Sequence, residues 1–391
     1  MDFYFDKNVN VELSNWRTPP YNRWAFSNVC EIVPSSVIQN NPLRVIKIPT
    51  SDSNINQFHL DYDGQSLDLE AWINATYGDG LVIIKNGRII CEKYSGETNS
   101  RSKHILMSVS KSILGLIAGI LSERGELNLS DRVDKVIPEM KQTAYAGSTI
   151  QDVLDMRAGI LFKENYEATS GPIIKYRKSH LWDPLDDDEK PSDLKSFLKT
   201  LVRTEGEHGG KFHYVSTNTD LLGWIIEKET GTRYSTLLSE LLWNPIGAEE
   251  SAYITVDRLG APRCAGGVCA TVRDLAKIGL VISNNGSLEE HEIIPSSWIE
   301  DIIENGNKSA WDNGDFYEFF SKNNIHYRNQ WYVERGSHPM MFAVGVFGQN
   351  LFIDIYNNLV IAKVSSQPSA LDKKFIDLTY AGVQQIRKII N

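Results

Sequence analysis

Four cysteines in 391 residues, Cys30, Cys91, Cys264 and Cys269, are too few and too scattered for a disulfide framework, and no CxxC pair offers ligands to zinc. They read as buried thiols. Lysine- and arginine-rich runs are lacking too, and with a formal net charge of −10 the chain has no footprint for nucleic acid. The longest apolar stretches, such as Ile113 to Leu121, break within about a dozen residues, short of the roughly 20 that span a bilayer, so no membrane partner is expected. Met1-Asp-Phe-Tyr-Phe-Asp-Lys7 carries acids where a signal peptide carries positive charge and no apolar run follows, which reads as cytoplasmic. There is no G-x-S-x-G elbow, HExxH, Walker A loop or Rossmann G-x-G-x-x-G, and the eight histidines are dispersed. Neither a metal nor a cofactor is expected.

What is present is enough apolar residue, 41% of the chain, to bury a large core, at a length that suggests two lobes. Residues 1–65 are turn-rich and show no clear element; they read as a segment wrapped on the core. LVIIKNGRIICEKY, from Leu81 to Tyr94, predicts two strands joined at Asn86-Gly87, a strong hairpin signal. ILGLIAGILSERG predicts a helix that stops at Gly125, and IQDVLDM, DLKSFLKTLVR, DLLGWIIEKETG and LLSELLW follow at helical spacing. After Gly266-Gly267 comes the helical ATVRDLAKIGLVISNNG, then the strand-like HYRNQWYVE, MMFAVGVF and NLFIDIYNNLVIAKVSS, then the amphipathic KKFIDLTYAGVQQIRKII. The expected fold is α/β (α+β), an antiparallel sheet flanked by helices. Residues 1–105 and 251–391 would form the sheet lobe and 106–250 a mostly helical lobe, with an active site between them.

Ser-x-x-Lys occurs three times, at Ser100-Arg-Ser-Lys103, Ser108-Val-Ser-Lys111 and Ser192-Asp-Leu-Lys195. On a helix this spacing puts a hydroxyl and an amine on one turn. A serine becomes a nucleophile when a base removes its proton, and a lysine can be that base once burial lowers its pKa. Ser100 lies in a polar loop that would not desolvate Lys103, and Ser192 opens an amphipathic helix as an ordinary N-cap. Only the middle match precedes an apolar helix that would bury Lys111, and there the helix N-terminus favours developing oxyanion charge. An N-cap role for Ser108 would account for the same tetrapeptide, so a second signal is needed.

Phe212-His-Tyr-Val-Ser-Thr-Asn-Thr-Asp-Leu-Leu-Gly-Trp-Ile-Ile-Glu-Lys-Glu-Thr-Gly231 supplies it. With the Ser108 motif it resembles the serine-reactive superfamily of β-lactamases and penicillin-binding proteins, which includes class C β-lactamases, D-alanyl-D-alanine peptidases and family VIII esterases. Within it the resemblance runs towards the 6-aminohexanoate-dimer (nylon-oligomer) hydrolases, over Asn22-Arg-Trp-Ala-Phe26, Leu106 to Ser112, Val153 to Met156, Tyr214 to Asp220, Gly266-Gly-Val268 with Arg273-Asp-Leu-Ala276, and Gly348-Gln-Asn-Leu351. The resemblance implies that Tyr214 relays a proton to the leaving group, with a nearby lysine stabilising its phenolate. It further implies that Tyr166 contacts a substrate amide, that Ser216 stands where many relatives have the asparagine of Tyr-x-Asn, and that a homodimer is plausible. His213, beside Tyr214, reads either as a tuner or as a structural histidine.

The third motif of these proteins, Lys-Thr-Gly or His-Thr-Gly on the edge strand, has its counterpart at Ala343-Val-Gly345 with Phe347 close by, and no basic residue occupies it. A β-lactam or peptidase substrate presents a carboxylate to that residue, so its absence moves the expectation towards a linear amide or a small carboxylic ester. The strand can still act through its backbone: the N–H groups of Ser108 and Val346 are expected to form an oxyanion hole. The sequence thus points to an acyl-enzyme serine hydrolase with Ser108, Lys111 and Tyr214 as catalytic groups and Tyr166, Ser216 and Phe347 at the substrate. The alternatives are β-lactamase or D-amino-acid peptidase activity, or a non-catalytic penicillin-binding sensor.

Overall fold

A computed structural model describes residues 10–320 and 324–390. The first seven residues, on which the reading of the N-terminus rests, lie outside the described residues. Seven antiparallel strands form the main sheet: β1 (Gly78–Lys85), β2 (Arg88–Tyr94), β3 (Ile325–Arg328), β4 (Trp331–Glu334), β5 (Met340–Gly345), β6 (Gln349–Asp354) and β7 (Leu359–Ser365). Their spatial order is β3-β4-β5-β6-β7-β1-β2, so the last strand in the chain pairs with the first. The β1–β2 turn is the predicted one, with Asn86 at φ 49° and Gly87 at φ 74°, the left-handed pair that a two-residue hairpin requires.

Both faces of this sheet are buried, and the strand period of two divides the side chains between them. Leu81, Ile83, Phe342, Phe352 and Ile361 face one apolar cluster, closed by the C-terminal helix through Leu378, Val383 and Ile386. Val82, Ile84, Met341, Leu351 and Val360 face the other, which holds the helices α1 (Val109–Glu123), α2 (Ser216–Thr230) and α3 (Val272–Ser283). The C-terminal helix is α4 (Lys373–Ile390). Between Ile105 and Ala252 the chain forms helices and no strand. The helix expected in DLKSFLKTLVR spans only Leu194–Leu198, and Asp193 caps it by accepting from the Ser196 N–H at 2.9 Å. Ser192, expected to be that cap, donates instead to the Asp193 carbonyl.

Helix α1 is buried on every side from Val109 to Leu121. Two glycines let neighbours reach its backbone: a Cβ on Gly115 would lie 2.2 Å from the Asn329 carbonyl oxygen, and one on Gly119 2.4 Å from the Trp298 ring. Gly115→Ala is therefore expected to lower the free energy of unfolding by about 2 kcal/mol through overpacking, read as a lower urea midpoint at unchanged slope.

The described part of the N-terminal segment does wrap the core. Trp16 donates from Nε1 to the Trp182 carbonyl at 3.1 Å, Asn22 donates to the Gln367 carbonyl at 3.0 Å, and Phe26 meets Phe347 edge-on at 5.2 Å. Of the cysteines, Cys91, Cys264 and Cys269 are buried thiols, whereas Cys30 is exposed, because it lies on a short surface turn of this wrapping segment. No helix among the described residues is long and apolar enough to cross a membrane.

Candidate active site

Ser108 stands immediately ahead of α1 with helical backbone angles, φ −67° and ψ −9°, and its side chain makes no capping bond. That removes the N-cap explanation of the motif. The hydroxyl instead accepts from Lys111 Nζ at 2.8 Å, and the same amine donates to the Ala265 carbonyl at 2.8 Å. Lys111 is 1% exposed, and burial pushes its pKa down to about 7, with Glu164 opposing and Arg263 assisting. The other two matches lack this environment: Lys103 is half-buried, and Lys195 pairs with Glu227 at 3.6 Å near the surface.

Tyr214 precedes α2 and reaches the same point. Lys111 Nζ lies 4.9 Å from its ring centroid, and Ser108 and Tyr332 are hydrogen-bonding neighbours of its hydroxyl. Burial, then the charge of Glu164, pushes its pKa up, so the phenol stays protonated at neutral pH. His213 faces Asp315, with Nδ1 at 2.7 Å from Oδ2, and Asp315 also accepts from the Tyr214 N–H at 3.0 Å.

β5 is not the expected edge strand, since β4 and β6 pair with it on either side, but its end abuts the nucleophile: a Cβ on Gly345 would lie 2.7 Å from the Leu106 carbonyl. Among the described residues, neither the Ser108 nor the Val346 N–H donates to another backbone group. Each is flanked by a buried residue in the left-handed region, Met107 at φ 46° before Ser108 and Phe347 at φ 63° after Val346. Such conformations cost about 1–3 kcal/mol each and persist where the surroundings impose them.

Ser108, Tyr166, Tyr214 and Val346 line one cavity, together with Phe316 and Tyr332. Tyr166 and Val346 also border a second cavity that contains Ser216 and Phe347. The hydroxyl of Ser216 is engaged: it donates to Glu164 at 3.1 Å, and its N–H donates to the same carboxylate. Tyr166 donates to Glu164 as well, at 2.8 Å. Glu164 was not singled out in the sequence, where nothing local distinguishes one loop carboxylate from another. In space it sits at the N-terminus of α2, where the helix dipole favours a negative charge.

A second unanticipated unit holds Lys111 from behind. Asp220 on α2 accepts from the Ala265 N–H at 2.9 Å, which fixes the carbonyl that Lys111 uses. Arg263 donates to Asp220 at 2.5 Å and to the Tyr176 hydroxyl at 2.6 Å, and Tyr176 also donates to Asp220. Asp220 lies four residues after Ser216, on the same helical face, a spacing that could have marked it. Asp220→Asn is expected to lower the free energy of unfolding by about 3 kcal/mol, since it leaves Arg263 buried without its counter-charge; thermal and urea unfolding read this directly.

A serine, a buried lysine and a tyrosine converging at the N-terminus of an apolar helix, beside an antiparallel sheet, match a known family. The β-lactamase family profile covers residues 69–384, and the chain belongs to that family of hydrolases. In particular, it is 32% identical to the 6-aminohexanoate-dimer hydrolase of Paenarthrobacter ureafaciens over 358 residues, which is 91% of this chain and 88% of that one. A solved structure from Bacillus anthracis, described as a candidate 6-aminohexanoate-dimer hydrolase, superposes with a TM-score of 0.87 at 26% identity, covering 98% of this chain and 97% of the other. The structure of EstCE1, a hydrolase with promiscuous acyltransferase activity, shares the fold at a TM-score of 0.61 and 16% identity, over 82% of this chain and 98% of that one.

Proposed function

We propose that this chain is a serine hydrolase of linear amides or small carboxylic esters that works through an acyl-enzyme on Ser108, in a cleft between a sheet lobe and a helical lobe. The observation that carries this reading is the 2.8 Å contact between Ser108 Oγ and an amine whose burial leaves about half of it neutral near pH 7. Lys111 Nζ takes the Ser108 proton as Oγ attacks the substrate carbonyl carbon. The resulting oxyanion is held by the N–H groups of Ser108 and Val346, which have no competing backbone acceptor. Collapse breaks the bond to the leaving amine or alcohol, Tyr214 gives it a proton, and the Lys111 ammonium refills the phenol. Water then attacks the acyl-enzyme by the same steps in reverse, releasing the acid and restoring the Ser108 hydroxyl.

A protonated phenol suits the donor step. The uncharged wall around Ser108 favours these substrates over β-lactams, whose carboxylate would find no basic residue on β5. The test is covalent capture. A fluorophosphonate or an activated carbamate should add one equivalent to the peptide that carries Ser108, and a p-nitrophenyl ester should turn over steadily. An unlabelled Ser108, or one product burst followed by silence, would count against the hydrolase and for a non-catalytic sensor.

A further inference from the structure

The cavity that holds Ser108 does not end beside it. It shares Phe320, Val344, Leu371 and Ile376 with another cavity, which continues between β5 and the first half of α4 as far as Tyr380. Among the described residues no charged side chain lines either one, and the polar Asn350, Gln367 and Thr379 border only the far cavity. On β5 the period of two turns Phe342 and Val344 to this side, and on α4 Ile376 and Tyr380 are four apart on one face. The cavity on the other side of Tyr166 and Val346 differs in carrying charged side chains, Arg17, Glu164, Arg177 and Arg263, among apolar ones such as Met107, Ile173 and Trp182. The nucleophile therefore sits where a channel without charged side chains meets a compartment that has them.

We infer that the acyl half of the substrate is an uncharged apolar chain of several carbons, seated in the channel through Val344 and Ile376. This rests on the serine-hydrolase reading above and sharpens it. A chain ending in an ammonium or carboxylate would bury that charge in the channel without a partner. The compartment with charged side chains suits the half that departs, since the acyl half stays bound to Ser108 while the other half leaves and water replaces it. Because each methylene removed from water is worth roughly a fourfold factor, kcat/KM should climb by about that factor per carbon until the channel is full.

The experiment uses p-nitrophenyl esters from acetate to decanoate, on the wild type and on Ile376→Trp and Val344→Phe. The wild type should rise steeply beyond butyrate and should prefer the hexanoyl to the 6-aminohexanoyl ester by at least about tenfold. Either substitution should cut the octanoate-to-acetate ratio by at least about tenfold; two variants are used so that one folding failure leaves the other to decide. A flat acyl series, equal rates on the hexanoyl and 6-aminohexanoyl esters, or a chain-length preference that follows the alcohol in alkyl acetates would overturn the inference. Labelling of Ser108 separates the two readings: if it persists while the acyl series is flat, the hydrolase stands and the channel assignment falls.

Discussion

Ser108→Ala is expected to lower kcat/KM on an activated ester by about 10⁴-fold, or about 5.5 kcal/mol of transition-state stabilisation at 1.36 kcal/mol per decade. The expectation comes from what the hydroxyl does and does not touch. It makes no capping bond, so α1 does not depend on it, and the first turn is closed by backbone bonds from Val109 to Leu106 at 3.1 Å and from Lys111 to Ser108 at 3.0 Å. The alanine variant should therefore keep its melting temperature within a few degrees while losing turnover. Its backbone N–H remains, so substrate binding and part of the oxyanion interaction survive, and KM should move far less than kcat. Steady-state rates, unfolding curves and fluorophosphonate labelling on one preparation decide the matter. Retention of turnover within tenfold of the wild type would remove Ser108 from the chemistry.

The contrast between two turns shows which parts of this molecule were legible in the sequence. Asn86-Gly87 announces itself because both residues tolerate positive φ locally. Asn329-Gln330 makes an equally tight turn, at φ 50° and 70°, yet HYRNQWYVE reads as one strand-like run because glutamine carries no turn preference. Tertiary bonds hold it there: Gln330 accepts from Thr219 at 2.7 Å and donates to the Leu154 carbonyl at 2.7 Å, while the Asn329 N–H donates to Asp155 at 2.9 Å. The site divides in the same way. Ser108 and Lys111 share one helical turn, and the apolar run after them signals burial, so their pairing is local information. Glu164, Arg263 and the aromatic wall of Phe316 and Tyr332 come from distant segments that only the closed fold brings together.

Lys111→Ala should cost about 10³-fold in kcat/KM, and it should also change the shape of the pH profile, which an effect on folding alone would not do. Burial holds the Lys111 pKa at about 7 against an ordinary 10.5, so below about pH 7 the ammonium predominates and cannot accept the Ser108 proton. The wild-type kcat/KM should rise about tenfold per pH unit up to that point and then level off. In Lys111→Ala that limb should vanish, leaving the slow hydroxide-dependent background. Glu164→Gln should shift the limb to lower pH, because the Glu164 charge, more than that of Asp220, holds the lysine pKa up against burial. The same displacement has a sign in stability. Since the folded state releases this proton more readily than the unfolded state, the unfolded chain binds more protons between about pH 7 and 10.5, and stability rises with pH across that window. The slope is at most about 1.4 kcal/mol per pH unit for one such group. Lys363, also buried and held at about 7, adds a contribution of the same sign, so Lys111→Ala should reduce the slope without abolishing it. A limb near pH 7 that persists unchanged in Lys111→Ala would assign the proton transfer to another group, and the neutral-lysine mechanism would fall with it.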